Sequence, residues 1–124
     1  MSTPAQLATD IATAVRNLNH ATLKPRMDGW EHPGDAHNVI GSLVASTHGL
    51  TQTLEQISQL LYDLQATRQI VSVDGAHATE GQVLSARSAL RRAREHAAAL
   101  TEGLGDAHVA TSGLAMIDTQ EPPR

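Results

Sequence analysis

Residues 35–69 read DAHNVIGSLVASTHGLTQTLEQISQLLYDLQATRQ, and within them Ile40, Leu43, Thr47, Leu50, Leu54, Ile57, Leu61 and Leu64 recur at alternating 3- and 4-residue steps. Side chains spaced in this way share one face of a helix. The stretch therefore predicts a helix over about 35–69, roughly 50 Å long at 1.5 Å per residue. Its stripe covers about four heptads, the pattern of a coiled-coil seam. Asp35 stands where a residue could cap the start.

The same pattern returns downstream. QIVSVDGAHA, with β-branched residues and Asp74-Gly75, reads as a connection rather than helix. Thr79 and Gln82 have capping-box spacing, and Val83, Ala86, Leu90, Ala93, Ala97, Leu100, Leu104, Ala107, Thr111 and Leu114 follow as a second stripe. A helix over about 79–116 is expected, with Gly103 and Gly105 as places for a kink or an early stop. Two helices of similar length joined by a short connection fold back as an antiparallel hairpin.

A shorter helix precedes them. Thr3-Pro4 with Gln6 forms a third start signal, Leu7, Ile11, Ala14 and Leu18 continue it, and Lys24-Pro25 closes it at about residue 23. The reading is one all-α domain over 1–124, with a frayed tail at 118–124. The first helix spans about half the hairpin, which leaves apolar stripe without a lid. Self-association into a dimer or higher oligomer is the simplest remedy.

Composition narrows the functional classes. The 124 residues hold no Cys, no Phe, one Trp and one Tyr, so burial rests on Ala, Leu, Val and Ile. A net charge of −4 argues against non-specific attraction to nucleic acid or to anionic membranes. Neither a cleaved export signal nor a run of about 20 apolar residues is seen, which reads as a cytoplasmic protein without a membrane span.

Catalytic patterns are not found. Seven histidines are present without the His-Glu-x-x-His or Glu-x-x-His spacing of helical metal sites, and His32 and His37, with His20 or Asp35, read as solvated loop and cap residues. The thirteen acids are scattered, and nucleophile elbows and phosphate loops are missing. No catalytic residue, cofactor or metal is expected. His37-Asn38-Val39-Ile40-Gly41-Ser42 resembles the His-x-Leu-Lys-Gly-Ser motif of phosphotransfer domains, with Ile40 where that family has lysine.

Three other features are candidates for contacts. Arg87, Arg91 and Arg94 fall at i, i+4 and i+7 as a small basic patch, which reads first as a solvated face and second as a grip for phosphates. Gly41, Ala45 and Gly49 lie four residues apart and would open a groove for a close helix–helix approach. In DGWEHPGD, residues 28–35, Trp30 reads as an apolar plug in the elbow between two helices.

PGDAHNVIGSL, LTQTLEQISQLL, ALRRAREHAAALTEGLGDAHVATSGL and AVRNLNHAT together resemble a set of uncharacterised small all-helical proteins from high-GC actinobacteria, associated with mobile elements and without an assigned activity. The two helices joined at the elbow around Trp30 are similar in architecture to WXG-type helical hairpins, although Gly34 comes later than that motif has it and the first helix is shorter; this second resemblance implies a dimer linked to secretion. The residues alone favour a non-enzymatic helical module that binds protein through Leu50, Leu54, Ile57, Leu61, the Gly41/Ala45/Gly49 groove and Trp30. The alternative is a small nucleic-acid-associated regulator acting through Arg87, Arg91 and Arg94.

Overall fold

Thr3 starts the first helix as its spacing implies. Its backbone is extended, its Oγ1 accepts the Gln6 N–H at 3.2 Å, and the Gln6 side-chain carbonyl accepts the Thr3 N–H at 2.9 Å. This reciprocal pair satisfies two donors that a helix N-terminus leaves open. In the computed structural model, which describes residues 1–23, 32–115 and 117, helix α1 then runs Pro4–Ala21. It stops before residue 23 because Thr22 folds onto the last turn, its N–H and its hydroxyl each 2.9 Å from the Leu18 carbonyl. No residue of α1 is buried, and Leu7, Ile11 and Val15 are each about half exposed.

Helix α2, Pro33–Ala66, begins earlier than Asp35. Proline is suited to the first helical position, where its missing N–H costs nothing. Asp35 is consequently inside the first turn, and its carboxylate accepts the N–H of His32 at 2.9 Å. The acid thus serves the helix start from within instead of capping it from outside.

The far end of α2 falls short of the expected residue 69 because the chain turns back on itself. Gln69 N–H bonds the Leu64 carbonyl at 2.8 Å and Arg68 N–H bonds the Gln65 carbonyl at 3.0 Å, with Arg68 left-handed at φ 57. Those two bonds define a Schellman stop. The position normally favours glycine, since a side chain there crowds the following carbonyl.

The connection is held by hydroxyls. Thr79 Oγ1 accepts the N–H of buried Ser72 at 2.9 Å, Ser72 Oγ accepts the Asp74 N–H at 3.0 Å, and Gln82 donates to the Asp74 carboxylate at 3.1 Å. Gly75 has φ 114, which makes it, among the described residues, the turn position where glycine is required. The expected capping box of Thr79 and Gln82 is replaced by these bonds. A 3₁₀ turn, Ala76–Ala78, runs straight into α3, so Thr79 already has helical angles and cannot act as an extended cap.

Helix α3, Thr79–Thr111, is continuous through Gly103 and Gly105. It ends five residues before the expected Met116, which itself lies outside the described residues. Leu114 N–H turns back to the Thr111 carbonyl at 3.2 Å around Ser112-Gly113. All three helices agree with the all-α expectation.

Contacts divide the chain into two units, residues 39–110 and residues 1–38 with 111–124. The first contains the antiparallel hairpin of α2 and α3, in which Thr47 meets Thr101, Glu55 meets Arg94 and Ser58 meets Arg87. The second contains α1, and in it His37 Nδ1 lies 2.9 Å from Thr111 Oγ1. Trp30 lies outside the described residues.

The Schellman stop generates a direct test. Arg68→Gly should raise stability by about 1 kcal/mol through relief of the left-handed strain, read as a higher urea midpoint with an unchanged slope. A lower midpoint would show that the Arg68 side chain contributes more than its backbone costs.

Candidate functional site

The hairpin seam follows from where the two stripes meet. On α2, Ile40, Thr47, Leu54 and Leu61 form its central row, and all are buried or half-buried. On α3 the matching row is Val83, Leu90, Ala97 and Leu104, again buried or half-buried. These rows were legible in the sequence. The rows beside them were not all read correctly.

For α3 the sequence favours Ala86, Ala93, Leu100 and Ala107 as the second row. Of these, Ala86 and Ala107 are half-buried and Ala93 and Leu100 exposed, while the polar contacts across the hairpin come from Arg87, Arg94 and Thr101, with His108 against Gly41, a row that also repeats every 7 residues. Arg87 Nε donates to Ser58 Oγ at 3.0 Å while its guanidinium lies 4.8 Å from the centre of the Tyr62 ring. Arg94 reaches the Glu55 carboxylate at 3.5 Å. Thr101 Oγ1 donates to Thr47 Oγ1 at 2.7 Å, and Thr47 passes its own proton to the Leu43 carbonyl at 2.9 Å. Alanine is too short to span two helices at this edge, whereas an arginine stem packs along its length and leaves its charge at the rim.

Magnitudes rank these contacts. The Arg94–Glu55 pair is solvated, with side chains 38% and 70% exposed, so its contribution is below about 1 kcal/mol. The Arg87–Tyr62 stack contributes a similar amount, about 0.5–1 kcal/mol at an exposed site. The Thr47–Thr101 bond matters more for geometry, since buried Thr47 would otherwise face the seam with an unpaired oxygen.

The arginine edge frames a shallow cleft of about 330 Å³, bounded by Leu54, Ser58, Leu84, Leu90 and the three arginines. Arg87 and Arg94 are turned toward α2, and Arg91 is exposed. The basic patch is therefore an interhelical edge with one outward arginine rather than a free stripe of three. Among the described residues, no three His, Asp or Glu side chains gather as metal ligands, and no helix is long and apolar enough to cross a membrane.

The other expected contact residues are placed as follows. Leu50, Leu54 and Leu61 are half-buried, and Ile57 is exposed at 42%. Gly41 does face a close neighbour, but in the same hairpin: a Cβ there would lie 2.9 Å from His108 Nε2. Ala45 and Gly49 are exposed, and a Cβ on Gly49 would meet nothing within 4 Å. Trp30 lies outside the described residues. Thr101, His108, Ser58 and Tyr62 were missed, although the spacing Arg87, Arg94, Thr101, His108 was a signal available in the sequence.

Comparisons of the chain with family models, curated proteins and solved structures give no match.

The two glycines should respond in opposite ways at one fixed protein concentration. Gly49→Ala should stabilise the helix by about 1 kcal/mol, because it adds a good helix former in open space. Gly41→Ala should destabilise the hairpin through the His108 ring, and the same change in a His108→Ala background should be stabilising. Equal gains at both positions in urea unfolding would refute the close approach.

Proposed function

We propose that the protein is a non-enzymatic helical interaction module, an adaptor, structural subunit or regulator of the cytoplasm, which self-associates through helix–helix contacts. The supporting observation is the state of its apolar residues. Among the described residues, Val83 is the only hydrophobic one that is buried, and Thr47 and Ser72 are the only buried polar ones. Two helices of 34 and 33 residues, the first rich in Leu, Ile and Val and the second in Ala and Leu, thus leave most of their apolar side chains partly in water.

Fully burying one Leu or Ile contributes roughly 1.5–3 kcal/mol. Ile57, Leu60 and Leu100, each 42–55% exposed, retain a good part of that gain for a partner. Helical modules commonly bind through rows of such anchors at 3- and 4-residue spacing. The cleft at Arg87, Arg91 and Arg94 offers polar contacts but no nucleophile paired with a base, so binding is the better-supported role.

Sedimentation equilibrium tests this reading. A dimer or larger species should persist on dilution and dissociate reversibly with a loss of thermal stability, as linkage between folding and association requires. A well-folded monomer at every soluble concentration would end it.

A further inference from the structure

We infer that the edge of the hairpin opposite its arginines is the self-association face, and that two copies close on it as a four-helix bundle whose two-fold axis runs along the helices. This inference rests on the self-association proposed above and specifies its surface and symmetry.

Helix geometry divides the hairpin into two edges. In an antiparallel pair, the positions four residues after the central rows fall on one edge of both helices, and those three residues after fall on the other. Ser58, Arg87, Arg94 and Thr101 occupy the first edge, and their contacts with one another or with neighbouring Glu55, Tyr62 and Thr47 fix it. The second edge therefore carries Leu43, Leu50, Ile57 and Leu64 from α2. From α3 it carries Ala86, Ala93, Leu100 and Ala107.

Three properties of this second edge suit a copy of itself. The first is its lack of charge. Between residues 40 and 110, all described, no Asp, Glu, Lys or Arg falls in these helical rows or in the rows just outside them, Ser46, Thr53 and Leu60 on α2 and Ala89, His96 and Gly103 on α3. All the charged residues of both helices over that span lie on the arginine edge or the outer faces. A neutral face gives a charged partner nothing to recognise and meets its own copy without repulsion.

The second property is exposure at the centre of the edge. Ile57 is 42% exposed, Leu60 55% and Leu100 53%, and Ala93 beside them is exposed as well. The rows from residue 43 to residue 64 cover about 32 Å by about 20 Å of two adjacent helices, a footprint of roughly 640 Å². A standard interface buries about 800 Å² per partner. The edge is large enough to hold a dimer once side chains interdigitate.

The third property sets the symmetry. The α2 row is large and the α3 row is mostly alanine, so facing layers are even only when each α2 packs against the partner's α3. A two-fold axis along the bundle produces that arrangement, with every neighbouring helix antiparallel. An axis across the bundle would set leucine rows against each other and leave the alanine rows apart, with voids between them.

Ala93→Glu and Ile57→Glu, both at exposed positions, should keep the helical circular dichroism and raise the dimer dissociation constant on the order of 100-fold, because each dimer buries two unpaired carboxylates. Leu84→Glu, on the arginine edge and 67% exposed, should leave the dimer unchanged. The axis is read separately from a nitroxide on Val73→Cys, a fully exposed turn position in a chain without native cysteine. The label pair should lie about 20 Å apart for an axis along the helices and about 40 Å or more for one across them. A dimer that survives Ala93→Glu and Ile57→Glu, or that dissociates with Leu84→Glu, overturns the face. A long Val73 distance overturns the symmetry. Wild-type protein that is only monomeric sinks the self-association reading itself, an outcome distinct from the other two.

Discussion

The hydroxyl contact between Thr47 and Thr101 decides which edges of α2 and α3 meet. Thr47 is one of the three buried residues among those described, and its oxygen finds a donor only if α3 presents Thr101 at that level and on that side. Once this is so, the 7-residue repeat carries Arg94 to Glu55, Arg87 to Ser58 and Tyr62, and His108 to Gly41. A purely aliphatic seam would tolerate a shift by one turn at little cost. The Thr47–Thr101 pair disfavours such a shift, because another register would leave the buried Thr47 hydroxyl with only the bond it donates to the Leu43 carbonyl.

Much of this arrangement is legible in the sequence, and the misread part has a physical cause. Thr3 and Gln6 cap α1 as their spacing implies, Asp74-Gly75 turns the chain, and the central rows of both long helices follow from the 3- and 4-residue steps. The second row of α3 was assigned to Ala86, Ala93, Leu100 and Ala107 because hydrophobic periodicity ranks side chains by polarity. Packing across two helices ranks them by reach, and there the stems of Arg87 and Arg94 exceed alanine. Local patterns make caps of Asp35 and Thr79, whereas Pro33 starts α2 two residues ahead of Asp35 and the 3₁₀ turn Ala76–Ala78 leads into α3 with Thr79 already helical.

The glycines show the same limit from another side. Gly41, Ala45 and Gly49 form one motif in the sequence, yet Gly41 accommodates the ring of His108 and Gly49 faces open space. Small residues four apart share a helix face, but their use depends on what stands opposite. Of the two glycines, only Gly41 stands close to a side chain of the same hairpin.

Polarity that the periodicity passed over therefore has a second consequence. With Arg87, Arg94, Thr101 and His108 on one edge, the leucines and alanines that hydrophobic patterning had placed in the seam are moved to the other. A wider apolar stripe than one partner helix can cover is what separates a bundle-forming helix from the narrow seam of a two-stranded coil. The hairpin holds its register with polar contacts and leaves an apolar surplus exposed, which is the surface the proposed self-association would use. Since so little is buried within the hairpin, the proposed self-association would add stability to a hairpin that its own polar contacts already hold in register.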